Sequence, residues 1–464
     1  MFRFGLLAER VKKMAETVRR EIENIGTVVG NKYGEREEYL GVPYAKAQRF
    51  CNAEPIERFD GEVDCTRFGA SCPQTRAYVD LLGDPERRFY YREFREGDEY
   101  VYDEDCLNMN IYTSDKFNRA PVLLYIHGGG FNSGSNVEKT VDGKHYVEKG
   151  VVFVAINYRV GLLGFCVGED VKSGQREGNL GLFDQLEAMK FVKRHISSFG
   201  GDPENITLIG QSAGAISLQY HALSRLSEDL YNKIIFLSGG GLMPKFALPK
   251  KAEEVRGFYS DFAKLFGKTK LKELSDVPIE ELITKFYEFK RSQKGGAFAD
   301  MPAVDGELID KDVTTLMKEG RLKSVPMIVS TTKHDMFPLI LYNMAAKLAK
   351  KNESDTYLAF FDRNMPGDDN KSFHSSDLWY ALGNTEKCWR PLEDIDGVLR
   401  ESVLTYFSAF CKNGNPNAGN LPAWQPYSEE KKCRMTFCDD GISMKKQSKT
   451  ELFFITIKNE KYKA

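Results

Sequence analysis

Short apolar runs alternate with longer amphipathic stretches along most of the chain. The runs are rich in β-branched residues and have the length of buried strands, whereas a stretch such as Leu182 to His195 has apolar residues at helical spacing. The runs that we interpret as strands are Val122 to Ile126, Val151 to Ile156, Ile206 to Ile209, Ile234 to Leu237, Val325 to Ser330 and Thr356 to Phe361. This alternation predicts an α/β fold, in which helices cover both faces of a twisted, mostly parallel sheet.

Two segments depart from the alternation. Residues 1–24 have apolar residues at three- and four-residue steps among Lys, Arg and Glu, which predicts an amphipathic N-terminal helix packed on the domain or on a partner. Residues 244–300 are rich in Lys, Glu, Phe and Leu at helical period, and we interpret them as a helical insertion over the active edge of the sheet. Because no repeat or linker marks a boundary, we expect residues 25–464 to form a single domain.

The segment 74–102 is dense in Arg, Glu and Tyr and poor in aliphatic residues. We predict a solvated surface loop there, with a rim around a substrate gorge as the alternative.

Composition narrows the function classes. The 464 residues are 42% hydrophobic and 28% charged, as expected of a globular protein with a sizeable core. A net charge of −2 offers no electrostatic reason to bind nucleic acid or an anionic membrane. No apolar run has the length of a membrane span, and the N-terminus lacks the features of a secretory signal, so we expect a cytoplasmic protein without membrane insertion.

Cysteine spacing argues against a metal site. The nine cysteines form no CxxC pair. Cys72 and Cys106 could be bridged in an oxidising compartment, but without a secretory signal we expect free thiols.

The strongest candidate for chemistry is Ser212, in the pentapeptide Gly210-Gln211-Ser212-Ala213-Gly214. A buried strand precedes it and a helical pattern follows it. A serine between two glycines at such a junction is a nucleophile elbow, whose tight turn lifts the hydroxyl above the sheet edge. A purely structural turn is the alternative.

A serine nucleophile needs a base that is itself oriented by a third group. In an elbow fold the base follows the nucleophile in the chain, which leaves His221, His334 and His374. His221 lies on the elbow helix itself, out of reach of Ser212. His374 lies in a polar loop after the last predicted strand, where the base is expected, and His334 is the alternative.

The acid and the oxyanion donors follow from the same chain order. Asp335 comes after the strand at 325–330 and is the best carboxylate to orient the imidazole, a surface-turn aspartate being the alternative. Gly128-Gly129-Gly130 follows the strand at 122–126 and forms a loop whose backbone N–H groups are expected to bind an oxyanion. A phosphate loop is disfavoured because the chain has no GxxxxGK[ST] motif. We predict that His127 packs beneath this loop.

Taken together, these motifs resemble the type-B carboxylesterase and cholinesterase family of the α/β-hydrolase fold, its bacterial-type members in particular, from about Ile25 to the end of the chain. Further motifs support the resemblance. They are Leu40-Gly41-Val42-Pro43-Tyr44-Ala45, Glu104-Asp105-Cys106-Leu107-Asn108, Ile156-Asn157-Tyr158-Arg159-Val160-Gly161, Gly178-Asn179-Leu180-Gly181-Leu182-Phe183-Asp184-Gln185 and Phe199-Gly200-Gly201-Asp202-Pro203.

The resemblance implies specific roles. It implies Ser212 as nucleophile, His374 as base and Asp335 as acid, where the family usually has Glu. It implies oxyanion donors at the backbone N–H groups of Gly129, Gly130 and Ala213.

Other positions differ from the family or match it only in part. Gln211 stands where the family commonly has Glu, which should lower the negative charge of the site. Cys72 and Cys106 match the family's cysteine pair, and the match does not say that they are oxidised.

We therefore predict a serine carboxylic-ester hydrolase that acts on small to medium organic esters through an acyl-enzyme, with no metal or organic cofactor. By resemblance, the three-glycine loop extends this to esters of bulky alcohols. An amidase, carbamate hydrolase or thioesterase on the same machinery is one alternative, and a non-catalytic binding or adhesion protein is another. The sequence leaves the physiological substrate and the oligomeric state open.

Overall fold

The computed structural model of the protein describes residues 16–171, 176–240, 249–294, 296, 299–335, 338–446 and 450. The strands are β1 (Glu16–Ile22), β2 (Gly26–Tyr33), β3 (Arg36–Pro43), β4 (Ala45–Lys46), β5 (Glu54–Pro55), β6 (Glu62–Asp64), β7 (Asn108–Ser114), β8 (Ala120–Ile126), β9 (Val152–Ile156), β10 (Gly201–Gln211), β11 (Lys233–Leu237), β12 (Lys250–Lys251), β13 (Ala303–Val304), β14 (Met327–Thr332), β15 (Thr356–Asp362), β16 (Cys433–Cys438) and β17 (Gly441–Lys446). The α-helices are α1 (Thr75–Tyr78), α2 (Pro85–Phe94), α3 (Lys144–Glu148), α4 (Gly161–Phe165), α5 (Leu180–His195), α6 (Ala213–Leu223), α7 (Ala252–Lys264), α8 (Ile279–Ser292), α9 (Val313–Lys318), α10 (Pro338–Lys351), α11 (Leu378–Ala381) and α12 (Asp394–Asn413).

Most of these strands form one large sheet, in the order β1-β2-β3-β7-β9-β8-β10-β11-β14-β15-β16-β17, with β6 beside β2. From β9 to β16 each strand runs parallel to its neighbour, whereas β1, β2, β3, β7 and β17 make antiparallel pairs at the two flanks. Parallel strands present their carboxyl ends at the same edge of a sheet. The loops that follow β8, β10, β14 and β15 therefore meet at one edge.

Apolar side chains fill both faces of the sheet. In β8, Val122, Leu124 and Ile126 pack into one core cluster, and Leu123 and Tyr125 into the other. Helices α5 and α6 contribute to the first cluster, and α3, α11 and α12 to the second. Because both faces are covered, the central strands are continuous apolar runs rather than alternating ones.

The predicted strands and the predicted mostly parallel sheet are confirmed. The six apolar runs correspond to β8, β9, β10, β11, β14 and β15, and the helical pattern at 182–195 to α5. The ends of the elements differ by up to five residues, because polar residues such as Asp202 continue β10 beyond its apolar part.

The predicted N-terminal helix over residues 1–24 is wrong for residues 16–22, which form β1 and pair antiparallel with β2. Val18 and Ile22 are four residues apart, a spacing that fits one face of a helix and, being even, one face of a strand. Alternate residues of β1 face inward, as a strand requires. The sheet therefore extends N-terminally past the predicted boundary at residue 25. Residues 1–15 lie outside the described residues, and the helix there stays a prediction.

Two other segments are helical. The predicted insertion at 244–300 contains α7 and α8, while residues 241–248, 295 and 297–298 lie outside the described residues. Its position over the active site stays a prediction. The segment 74–102, predicted as a surface loop, contains α1 and α2 instead.

In the described part of the chain, no helix combines the length and the apolar character needed to span a membrane.

Candidate active site

Ser212 lies at the sharp turn between β10 and α6, with φ 54° and ψ −121°. These angles are unfavourable for a residue with a side chain, and strain of this kind is concentrated at functional sites. The flanking glycines allow the close approach of the turn to the sheet: a Cβ atom at Gly214 would lie 2.1 Å from the carbonyl oxygen of Ile126. The turn leaves Ser212 partly exposed to solvent.

His374 lies in the loop between β15 and α11 and contacts both of the other predicted site residues. Its Nε2 atom is 2.9 Å from Oγ of Ser212, and its Nδ1 atom is 2.9 Å from Oδ1 of Asp335. A carboxylate accepts hydrogen bonds, so Nδ1–H donates to Asp335. Nε2 is then left without a proton and accepts the hydrogen bond of the Ser212 hydroxyl.

Asp335 follows β14 and is buried, with its side chain 1% exposed. Its Oδ2 atom accepts a hydrogen bond of 3.1 Å from the hydroxyl of Thr332. The residue before it, His334, donates its backbone N–H to the carbonyl oxygen of Ser372, and a parallel bridge pairs His334 with Phe373. The loop that follows β14 is called the acid loop and the loop between β15 and α11 the base loop, after the roles predicted for Asp335 and His374. The bridge joins these two loops one residue away from Asp335 and from His374.

The electrostatics favour an imidazole that gains a proton readily. Burial lowers the pKa of His374, but the charge and hydrogen bond of Asp335, together with the charges of Asp377 and Glu86, more than offset this effect, so the pKa lies above its ordinary value. Asp377, three residues after His374, is also close to Asp335. Burial, and then the charge of Asp335, raise the pKa of Asp377 to about 7. Both carboxyl oxygens of Asp377 are buried and have no hydrogen-bond partner among the described residues.

Helix α2 packs against the base loop. The hydroxyl of Tyr90 donates a hydrogen bond of 3.3 Å to the carbonyl oxygen of His374. The ring of Phe89 packs edge-on against Phe373, with ring centroids 4.9 Å apart. Helix α2, within the segment 74–102, therefore contacts the backbone of His374 and the side chain of the residue before it.

The glycine loop after β8 reaches the same edge. Gly129 and Gly130 are exposed and have φ values of 110° and 62°, in the region that favours glycine. A Cβ atom at Gly129 would lie 2.2 Å from the carbonyl oxygen of Ser133. The carbonyl oxygen of Gly129 accepts hydrogen bonds from the N–H groups of Asn132 and Ser133, which fixes the loop. Within the described ranges, the N–H groups of Gly129 and Gly130 donate to no protein acceptor.

Of the remaining histidines, His127 and His221 are buried and His334 is half-buried, and none of them occupies the base position. His127 stacks on Tyr158 with ring centroids 4.3 Å apart, and burial lowers its pKa to about 4, which confirms its predicted packing role. His221 bonds Ser227 and Gln185, and burial lowers its pKa to about 3. Burial likewise lowers the pKa of His334 to about 4.

Cys72 and Cys106 are both buried free thiols in this structure. A hydrogen bond with Cys72, together with burial, raises the pKa of the Cys106 thiol. Among the described residues, no group of three or more His, Cys, Asp or Glu side chains is arranged to hold a metal ion.

Several contacts of the site were missed by the sequence analysis. They are made by Tyr90, Thr332, Ser375 and Asp377, and by the side-chain amide of Gln211. Asp377 carried a signal, since it stands three residues after His374, close to the predicted base in the sequence. Tyr90 carried none, because its contact depends on how α2 packs.

Comparisons with known proteins agree on the kind of protein. A model of the carboxylesterase family matches residues 16–365 and 336–454. The para-nitrobenzyl esterase of Bacillus subtilis is 26% identical over 472 residues, which cover 87% of this chain and 92% of that protein. The cholinesterase of Mus musculus is 32% identical over 333 residues, covering 68% of this chain and 52% of that protein. The solved structure of a thermophilic PNB esterase superposes with a TM-score of 0.79 at 25% identity, covering 94% of this chain and 100% of that one.

Proposed function

The chain belongs to the carboxylesterase family and is a carboxylesterase, and we propose that it works as a serine hydrolase through an acyl-enzyme intermediate. The observation that carries this proposal is the hydrogen-bonded series Ser212–His374–Asp335, with 2.9 Å at each link. A nucleophile bonded to a base, which is in turn oriented by a third group, is the arrangement that activates a serine hydroxyl.

In the acylation step, Oγ of Ser212 attacks the carbonyl carbon of the ester while Nε2 of His374 takes the hydroxyl proton. The Asp335 carboxylate stabilises the imidazolium that forms. When the tetrahedral intermediate collapses, the bond to the alcohol oxygen breaks, and His374 returns the proton to the departing alkoxide. The products are the free alcohol and an acyl group on Ser212.

In the deacylation step, His374 takes a proton from water, and the hydroxide attacks the acyl carbon. The bond to Oγ then breaks, the proton passes back to Ser212, and the carboxylic acid is released. The same three side chains therefore serve both halves of the reaction.

The negative charge on the carbonyl oxygen needs backbone donors that are already in place. We assign this role to the N–H groups of Gly129, Gly130 and Ala213. Ala213 is the first residue of α6, where a backbone N–H has no partner inside the helix. The exposed, fixed glycine loop supplies the other two donors.

We propose small to medium organic esters as substrates, with esters of bulky alcohols as an extension. Gln211, beside the nucleophile, is uncharged, so it gives the site no additional negative charge. Para-nitrobenzyl esters, after which the Bacillus subtilis relative is named, are suitable first substrates.

The decisive experiment is intact-mass spectrometry after reaction with a fluorophosphonate, beside ester hydrolysis. Attack by Ser212 displaces fluoride and leaves one stable phosphonyl adduct. We expect one adduct on the wild type and none on Ser212→Ala, with turnover lost in the same variant. A folded wild type without an adduct would contradict the proposal.

A matched set of substrates tests the bond type. An ester, an anilide and a thioester with the same acyl group share the acyl-enzyme and differ in the leaving group. We expect the ester to have the highest kcat/KM. A faster anilide or thioester would move the assignment to an amidase or a thioesterase.

A further inference from the structure

Gln211, the residue before the nucleophile, connects the elbow to the base loop. Its Nε2 atom donates a hydrogen bond of 2.7 Å to Oγ of Ser375 and lies 3.3 Å from Nε2 of His374. Gln211 and Ser375 are 3% and 7% exposed, so water competes little for these bonds. The amide oxygen lies on the other side, next to Gly128, where a Cβ atom would be 2.8 Å from it.

Ser375 has an unfavourable backbone conformation. Its φ of 77° lies in the left-handed region, which favours glycine. Ser212 also has a positive φ. Non-glycine residues persist in such conformations only where surrounding contacts hold them, and they are concentrated at functional sites. For Ser375, the side-chain contact that a glycine could not make is the bond to Gln211.

We propose that Gln211 and Ser375 are positioning residues, which tie the base loop to the nucleophile elbow and hold the His374 imidazole, in its neutral form, against Ser212. This inference rests on the proposed function, in which His374 is the base. The Gln211 amide donates toward the same nitrogen that accepts the Ser212 proton. An imidazolium would instead point an N–H at the amide N–H, so the contact favours the neutral ring.

Several other groups face His374 and bear on its charge. Asp335 faces it from the loop after β14, Asp377 from its own loop, and Glu86 and Tyr90 from α2. The carboxylates favour the imidazolium. The Gln211 amide therefore opposes the carboxylates, because it favours the neutral ring. A carboxylate at position 211 would instead add to their effect and favour the imidazolium.

The first test removes the bridge. In Ser375→Ala and in Gln211→Met, we expect kcat to fall about tenfold with little change in KM, because the ring is less well oriented for proton transfer. The double variant should be no slower than the slower single variant, since the two residues act through one bond. Ser375→Gly also removes the hydroxyl but relieves the backbone strain, so it should fold well and still be slow.

Two other buried side chains provide matched controls. Ser376→Ala removes a buried hydroxyl that has no partner among the described residues. Gln185→Met removes a buried glutamine that likewise contacts a serine and a histidine, Ser217 and His221. Both controls should keep the kcat of the wild type.

The second test is Gln211→Glu, which places a negative charge beside His374. We expect the pKa of His374 to rise by about one unit, because an opposite charge at this distance favours the imidazolium. With histidine labelled at Cε1 with ¹³C, NMR follows the six histidines of the chain directly. His374→Asn assigns the resonance, and the acid limb of kcat/KM should move with the NMR value.

The outcomes separate the two proposals. An unchanged kcat in both Ser375 variants, or an unchanged His374 pKa in Gln211→Glu, would overturn the positioning role. A wild type without ester turnover would contradict the proposed function. In that case the NMR titration still decides whether Gln211 controls the charge of His374, because it does not depend on activity.

Discussion

Two histidines of this protein, His374 and His221, are each held between two polar side chains, and yet their pKa values move in opposite directions. His374 contacts Asp335 and Ser212, both at 2.9 Å. The Nδ1 atom of His221 is 2.8 Å from the Ser227 hydroxyl, and its Nε2 atom is 3.2 Å from Oε1 of Gln185. In both rings, a serine hydroxyl lies on one nitrogen.

The difference lies in the charge of the other partner and in access to solvent. Burial lowers the pKa of His221 to about 3, and none of its hydrogen-bond partners carries a charge. At His374 the charge and hydrogen bond of Asp335, with the charges of Asp377 and Glu86, more than offset burial, and the side chain is 12% exposed. Hydrogen bonds on both nitrogens therefore hold an imidazole in place, whereas a carboxylate at a partly open site raises its pKa, as the proposed role of a base requires.

The largest expected effect comes from removing each ring in turn. His374→Ala should lower kcat by roughly 10⁵-fold to 10⁶-fold, as for other triad residues. His221→Ala should lower the free energy of unfolding by about 2–4 kcal/mol, because it leaves a buried cavity and unpaired polar groups. Its kcat per folded molecule should stay close to that of the wild type. Ester kinetics and denaturant unfolding on both variants check this, and a reversed pattern would exchange the roles of the two histidines.

The next effect comes from making the partner of His374 neutral, as the partners of His221 are. Asp335→Asn should lower kcat on the order of 10⁴-fold, because the imidazole loses its orienting acceptor and the imidazolium its counter-charge. Turnover of an aryl ester measures this, with circular dichroism as the control for folding. Activity like that of the wild type would move the acid role to another carboxylate.

A third prediction concerns pH. His374 must be neutral to act as a base, so kcat/KM should fall about tenfold for each pH unit below its pKa. Because Asp335 raises this pKa, the acid limb should begin at or above the ordinary histidine value of about 6.5. A pH profile from 4 to 9 measures the limb, and a rate that stays flat down to pH 4 would argue against a histidine base.

The smallest effect extends the comparison to a buried carboxyl. Burial raises the pKa of Asp377 to about 7, so the folded state holds a proton that the unfolded state releases near pH 4. The free energy of unfolding therefore falls as the pH rises from about 4 to 7 and stays at the lower value above that range. Asp377→Asn should remove this loss and raise the free energy of unfolding at pH 8 by roughly 1–3 kcal/mol.

Chemical denaturation of the wild type and Asp377→Asn at pH 4 and pH 8 measures this difference. The gain should nearly vanish near pH 4, where the wild-type carboxyl is protonated in the folded state and about half protonated in the unfolded state. An equal difference at the two pH values would mean that Asp377 is not protonated in the folded protein.

Much of the candidate site was predictable because its parts are local. The strand, the glycines and the helical pattern around Ser212 lie within one short segment. His374 and Asp335 followed from chain order, since loops after parallel strands meet at one edge of the sheet. The prediction failed at residues 16–22, where the spacing of Val18 and Ile22 fits a helix and a strand equally well. Only pairing with β2 decides between them.

The sequence by itself determined which side chains are candidates for the chemistry, because the elbow motif and the order of the loops can be read from the chain. The tertiary structure alone decided what surrounds them. Gln211 and His374 are 163 residues apart, and Tyr90 and His374 are 284 apart, yet each pair is in contact. A pKa depends on burial and on charges brought close by folding. Because such neighbours come from distant segments, no local pattern could have predicted that folding raises the pKa of His374 and lowers that of His221.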